Sequence, residues 1–150
     1  GAGSDHLALH DRPSITQLRA TQAAAKRAYA TAGISANDVD LAEVHDCFTI
    51  AEVLATEDLG FASRGEGGRF AREGEGRRNE GHVTINASGG LKSKGHPLGA
   101  TGTGQAVEIF KQLRNQAEPA RQVRDAELGL THNVGGSGAT CAVHIFGRER

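Results

Sequence analysis

Asn86–Gly104, reading NASGGLKSKGHPLGATGTG, holds one histidine, His96, locked between Gly95 and Pro97. Glycine lets a backbone pass close to a ligand and adopt conformations that other residues avoid. Proline removes a hydrogen-bond donor and fixes its own φ. A histidine on such a turn is held in one direction, as an imidazole acting as base or hydrogen-bond donor must be. The same letters also describe a glycine-rich turn with an incidental surface histidine, because loose glycine patterns are weak evidence alone. The rest of the chain decides between them.

At 150 residues, the chain fits one domain, 1–150, that can bury a real core. Hydrophobic content of 37% and charged content of 23% are those of an ordinary folded protein rather than a disordered one. A net charge of −1 gives no reason to expect nucleic acid or an anionic membrane as partner. No apolar run reaches bilayer length, and the N-terminus lacks the charged and apolar regions of a signal peptide. Cys47 and Cys141 are too few for a disulfide scaffold or a zinc site, which makes a reducing cytoplasm the default location. The chain has no methionine and opens on GAGSDHLALHDRPS, which reads like the middle of a protein. A fragment, a processed chain or one half of something larger is expected.

Outward from the histidine segment, the pattern alternates helix and strand. Ser14 and Gln17 have capping-box spacing, and Ile15, Leu18, Ala25, Ala28, Tyr29 and Ala32 recur at helical intervals until Gly33 stops them. Val39 to Val44 has strand length and ends at His45-Asp46-Cys47, where Asp46 is placed to cap a second helix carrying Phe48, Ile50, Ala51, Val53 and Leu54. Gly60 to Gly81 is glycine and alternating charge, with Phe61 and Phe70 its large apolar residues. It reads as a solvated loop or as a lid whose phenylalanines close over a site. Val83 to Asn86 is a brief strand. Gly102 to Gln116 reads as a third helix burying Ala106, Val107, Ile109, Phe110 and Leu113. Glu127 to His132 and Ala139 to Phe146 read as strands joined by NVGGSG, the last alternating Cys141, Val143, Ile145 against Ala142, His144, Phe146. The expectation is an α/β fold, with a mixed sheet of about four to five strands flanked by helices.

Three clusters recur at strand ends or glycine turns: His45-Asp46-Cys47-Phe48, Gly95-His96-Pro97, and His132-Asn133-Val134-Gly135-Gly136. Strand ends are where α/β folds place their sites. Imidazoles and a thiol in one pocket suit acyl transfer, since a histidine activates a thiol, a second thiol shuttles a proton and glycine N–H groups bind an oxyanion. Metal binding is the rival use of these residue types, and neither HxxxH nor CxxC occurs, so no metal is expected.

The order HDCF, NASGGLKSKGHPLGATG, HNVGGSGAT resembles the C-terminal half of thiolases. It is closest to the sterol-carrier-type and archaeal acetyl-CoA acetyltransferase branch, where HDCF stands in place of NEAF. The resemblance runs from the alanine-rich helix to the final strand, and GHPLGATG is its most specific part. It implies a thiolase-like half-domain and an acetyl-CoA C-acetyltransferase of lipid metabolism. The implied reaction is Claisen condensation or thiolysis through a cysteine thioester. His96 would help activate the nucleophilic cysteine and donate to the thioester oxyanion. His45 takes the place of an asparagine that holds a water at that oxyanion hole. Gly135 would offer its N–H to the acyl-enzyme oxyanion. Ser88, Gly89 and Gly90 lie where the family runs its backbone past the pantetheine arm of coenzyme A. The implied ligand is a coenzyme A thioester as substrate, with no permanently bound cofactor.

Two departures matter. The family's CxGG cysteine, acid and base at the α-carbon, is Asn133 here, and Cys47 is the replacement; its plain alternative is a buried structural thiol. An acid/base thiol needs neighbours that tune it, and His45 or His96 are placed to do so. The nucleophilic cysteine belongs to an N-terminal half that this sequence does not contain, so isolated activity is not expected. Cys141 reads as a small buried hydrophobe. His6, His10, His82 and His144 read as structural or surface residues, and His132 as either support or direct chemistry. The implied partners are acyl-CoA, the N-terminal half on the same or another chain, further copies in dimers and often tetramers, and a zinc-ribbon/OB-fold protein as in some relatives. Two other functions stand beside the thiolase. One is a sterol-carrier-type aldolase acting on acyl-CoA side chains; such lyases rely on tyrosines, and Tyr29 is the one tyrosine here. The other is a non-catalytic structural half of a thiolase complex.

Overall fold

In the computed structural model, residues 1–148 are described. The strands are β1 (Ala2–Ser4), β2 (Leu41–Glu43), β3 (Thr84–Ile85), β4 (Leu128–Gly135) and β5 (Thr140–Gly147). The helices are α1 (Arg19–Ala32), α2 (Thr49–Asp58), α3 (Gly67–Glu73), α4 (Gly90–Lys94) and α5 (Thr101–Leu113). One sheet runs in the order β1-β5-β4-β2-β3. β4 and β5 form an antiparallel hairpin that β1 extends antiparallel, whereas β2 lies parallel to both β4 and β3. This is the mixed, helix-flanked sheet expected from the sequence, and the hairpin falls where the alternating strand predicted it.

Side chains alternate across the sheet and so divide the core in two. Ala42, Leu130, Cys141 and Val143 face α1, with Ala55 and Leu59 of the α2 region in the same cluster. Leu41 faces the other way, with Ile109 and Leu113 of α5, Val123 and Ala126. Each fully buried leucine- or isoleucine-sized side chain contributes about 1.5–3 kcal/mol relative to exposure.

Several local expectations fail for identifiable reasons. The first helix begins at Arg19, not at Ser14, because the Ser14 hydroxyl accepts the Thr16 N–H in a local turn. The cap is tertiary: the Asp58 carboxylate at the end of α2 accepts the Leu18 N–H at 2.6 Å. The predicted stop is correct, since Gly33 is left-handed at φ 70° and its N–H donates to Tyr29.

The Gly60–Gly81 stretch is not a loop throughout, because α3 occupies its middle. Phe61 and Phe70 are buried in the α1-side core rather than poised as a lid. Arg69 holds Glu66, Glu73 and Glu75 along this segment. On α5, the expected buried face is rotated. Thr101, Gln105, Glu108, Ile109, Gln112 and Leu113 are buried, and Val107 and Phe110 point outward.

Candidate active site

β2 and β4 run parallel, so their carboxyl ends lie side by side and deliver His45-Asp46-Cys47 and Val134-Gly135-Gly136 to one end of the sheet. The glycine-rich segment is tied to the same place. Asn86, at the end of β3, accepts the Val44 N–H through its side-chain oxygen at 2.8 Å. Asp46 does not cap α2, which starts without a side-chain cap. It instead accepts the Leu91 N–H of α4 at 2.7 Å. A Cβ on Gly90, which sits at φ +68°, would lie 2.3 Å from that carboxylate. Only glycine fits there, and the contact joins the HDCF turn to the segment bearing His96.

The rings of His45 and His96 meet edge to face with centroids 4.8 Å apart. His45 is buried, and its Nδ1 has no hydrogen-bond partner among the described residues. Burial holds its pKa below the usual histidine range, and the nearby His96 adds to this while Asp46 opposes it. The His96 Nδ1 lies 2.6 Å from the hydroxyl oxygen of Thr101. Cys47 is a half-buried free thiol. It shares a cavity of about 170 Å³ with His45, Phe48, Leu18, Val134 and the turn Gly136–Gly138. Gly135 stands behind that turn, its carbonyl accepting the Gly138 N–H at 3.2 Å, and its neighbours rather than Gly135 itself line the cavity.

His132, which the sequence left open, is wholly buried. Its Nδ1 accepts the His45 N–H at 3.3 Å, so its proton sits on Nε2, which donates to Thr21 at 2.9 Å. Burial, with the nearby His45 adding to it, pushes its pKa down to about 3. A neutral ring with both nitrogens engaged is a support for His45, not an acid or base. Cys141 is buried in β5, and burial pushes its thiol up to about 11 against a hydrogen bond from Thr21. His6, His10, His82 and His144 are exposed.

Ser88, Gly89 and Gly90 are held by different neighbours. The Ser88 hydroxyl donates to Glu43 at 2.5 Å and accepts from Lys94 at 2.6 Å. Its N–H also reaches Glu43, which Lys94 contacts at 3.3 Å. Glu43 is 1% exposed, and burial raises its pKa against the Ser88 and Lys94 contacts. With its hydroxyl so engaged, Ser88 offers a ligand mainly backbone. Ser88, Lys94 and Pro97 border a separate open depression of about 510 Å³. Sequence reasoning missed Glu43 and Lys94. The available signal was a carboxylate inside the apolar strand LAEV, which needs a buried partner. It also missed Gln105, whose amide donates to the carbonyls of Glu43 and His132 and so bridges the ends of β2 and β4.

Among the described residues, no group of three or more His, Cys, Asp or Glu is placed to hold a metal ion, and no helix is long and apolar enough to cross a membrane.

The profile of the family described as thiolase C-terminal domain-like matches residues 1–148. An acetyl-CoA acetyltransferase of Methanothermobacter thermautotrophicus is 54% identical over 145 residues, which is 97% of this chain and 37% of that protein. The chain thus spans well under half the length of that relative. The fold superposes on a Ltp2–ChsH2(DUF35) aldolase with TM-score 0.79 at 22% identity, covering 100% of this chain and 38% of the other. It also superposes on the peroxisomal 3-ketoacyl-CoA thiolase of Saccharomyces cerevisiae with TM-score 0.61 at 19% identity, covering 99% and 33%. The yeast enzyme is described as a five-layered structure built from two core domains of identical topology.

Proposed function

Because the chain belongs to the thiolase C-terminal domain family, we propose that it supplies the histidine-bearing part of an acetyl-CoA C-acetyltransferase site, whose cysteine nucleophile comes from an N-terminal half. The observation that carries this is the convergence of His45 and His96, rings 4.8 Å apart, with Cys47 on the same turn as His45. Three segments distant in sequence are bonded into one site, which a purely structural half would not require.

In this reading, His96 takes the proton of the partner half's cysteine, and the thiolate displaces coenzyme A from an acyl thioester to give an acyl-enzyme. Cys47, as thiolate, removes a proton from the α-carbon of a second acetyl-CoA, and the resulting carbanion attacks the acyl carbonyl and expels the partner half's cysteine as thiolate; thiolysis is the reverse. His45, kept neutral by burial, holds a water that donates beside His96 to the thioester oxygen, and the Gly135 N–H meets the acyl-enzyme oxyanion. The backbone of Ser88-Gly89-Gly90 guides the pantetheine arm. Substrate and product are coenzyme A thioesters, and no permanent cofactor takes part.

The N-terminal half docks on the outward face of α5, where Val107 and Phe110 are exposed. Two similar core domains, as in the yeast enzyme, would sandwich such a helix layer. Alone the chain is inactive. The assembled enzyme is a homo-oligomer of the cytoplasm, able to engage a zinc-ribbon/OB-fold partner. The aldolase reading is weaker, since Tyr29 donates its hydroxyl to the Leu59 carbonyl from within α1.

The test is reconstitution with a separately produced N-terminal half, followed by acetoacetyl-CoA cleavage. His96→Ala is expected to lower kcat about 100-fold or more. Cys47→Ala should abolish α-proton exchange of acetyl-CoA while leaving acyl-enzyme formation intact. Full activity in both variants would remove the assignment.

A further inference from the structure

We infer that Thr101 is a positioning residue that decides which nitrogen of His96 carries the proton; the catalytic meaning of this rests on the proposed function, but the tautomer does not. The His96 Nδ1 lies 2.6 Å from Thr101 Oγ1, and that same hydroxyl lies 3.2 Å from the Pro97 carbonyl oxygen. A carbonyl only accepts, and a hydroxyl has one proton to give. The arrangement in which both contacts of the Thr101 hydroxyl are hydrogen bonds has His96 Nδ1–H donating to Thr101, and Thr101 O–H donating to the Pro97 carbonyl, which also accepts the Ala100 and Thr101 N–H groups. The ring proton then sits on Nδ1, and Nε2 keeps its lone pair as the nitrogen able to take a thiol proton.

In the reverse arrangement the hydroxyl donates to Nδ1, the ring proton moves to Nε2, and the basic nitrogen is blocked. Thr101 is buried, so bulk water does not compete for its hydroxyl. The hydroxyl is also held in place. Thr101 opens α5, its own N–H donates to Pro97 at 2.9 Å, and β-branching restricts its χ1. His45 packs edge to face against the His96 ring from another side and limits its rotation. The hydroxyl caps no helix N–H, since α5 begins without a side-chain cap. What the hydroxyl does is bond back to the Pro97 carbonyl and accept the His96 N–H.

Long-range 1H–15N correlation spectra of the full, uniformly labelled chain test this directly, with the His96 signals identified by their loss in His96→Gln. At a pH where the ring is neutral, the wild type should show a protonated Nδ1 and an unprotonated Nε2. Thr101→Ser should preserve that pattern. Thr101→Val, of equal shape but without an acceptor, should reverse it to the Nε2–H form that free histidine favours. An Nε2–H ring in the wild type overturns the proposal, as does an unchanged Nδ1–H ring in Thr101→Val. In the reconstituted enzyme, Thr101→Val should lower kcat about 10- to 100-fold with KM within about twofold, and Thr101→Ser should restore it. A reversed tautomer with unchanged kcat overturns the positioning role. An inactive wild type would instead strike the functional reading and leave the tautomer result standing.

Discussion

α1 and α5 cover opposite faces of one sheet and have nearly the same length, 14 and 13 residues, yet they are attached by different physics. α1 buries Ala20, Ala24, Ala25 and Ala28, with Thr21 among them. Small side chains bring its backbone close to β1 and β5, and the gain is dispersion and removal of apolar surface from water. α5 buries Gln105, Glu108 and Gln112 beside Ile109 and Leu113. Its polar side chains end on fixed partners. Gln105 donates to the carbonyls of Glu43 and His132, Gln112 accepts the Val123 N–H, and both carboxylate oxygens of Glu108 accept from Nη1 of Arg121. A layer packed mainly by alanine sits so close that a Cβ on Gly3 of β1 would lie 2.0 Å from the Ala20 carbonyl oxygen. One held by directed hydrogen bonds fixes the register of the strands beneath it, and those strands end in the candidate catalytic turns.

The contrast breaks most visibly at Ile109, which is completely buried in the smaller, α5-side cluster. Ile109→Ala should cost about 3–4 kcal/mol in urea unfolding. On α1, Ala24 is equally buried, but Ala24→Gly removes a single methyl and should cost about 1 kcal/mol. Comparable losses at the two positions would mean that the faces are packed alike. Gln105→Leu comes next, at about 2–3 kcal/mol, because apolar substitution leaves two strand-end carbonyls buried without their donor. Amide hydrogen exchange should then accelerate at the ends of β2 and β4 before it does on α1, and uniform acceleration would contradict the strap.

The same contrast explains what was legible in the sequence. The mixed sheet, the β4–β5 hairpin and the stop at Gly33 follow from local rules, since alternation and a left-handed glycine need no knowledge of distant partners. The three candidate turns stand out in the sequence because glycine, histidine and cysteine types cluster at strand ends. The face of α5 does not. Hydrophobic periodicity places Val107 and Phe110 inside, but a glutamine satisfied by strand carbonyls is cheap to bury, and the carbonyls that hold Gln105 lie 62 and 27 residues away in sequence. Asp46 fails for the same reason: a cap is read from its own chain neighbours, whereas its acceptors serve α4, 45 residues on. Phe61 and Phe70 fail differently, because charged surroundings in sequence conceal a single apolar stripe that reaches the core.

The two layers meet at His132, whose side chain bonds to Thr21 of α1 and whose carbonyl receives Gln105 of α5. This makes acid a probe of the α1 side. The folded pKa of His132 is about 3, against roughly 6.5 for an unfolded histidine. Above pH 6.5 the residue is neutral in both states and carries no penalty. Below it, the unfolded chain binds a proton that the fold refuses, so stability drops by about 1.4 kcal/mol per pH unit until pH 3 is approached. The lowered pKa of His45 acts in the same direction. Urea midpoints at pH 7 and pH 5 should differ by about 2 kcal/mol, and His132→Gln should flatten most of that slope. Equal stability at the two pH values in the wild type would mean that His132 is not held neutral.

The smallest expected effect on the isolated chain is also the sharpest test of the difference between the outer faces. Outward from the sheet, α1 shows Lys26, Arg27 and Thr31 to solvent, as an outermost layer should. α5 instead shows Val107 at 46% and Phe110 at 55% exposure, with the Arg114 guanidinium 5.2 Å from the Phe110 ring. Exposed apolar groups contribute little to the fold that displays them, so Phe110→Ser should change the urea midpoint by less than about 0.5 kcal/mol. If that face is the seat of an N-terminal half, the same substitution should weaken assembly about tenfold or more, because large aromatic side chains dominate interface energies. Lys26→Ser on α1 should change neither quantity. A Phe110→Ser chain that assembles with wild-type affinity would place the partner elsewhere and make the two outer faces equivalent. A chain that instead loses stability outright would show that Phe110 belongs to the core of this half rather than to its boundary.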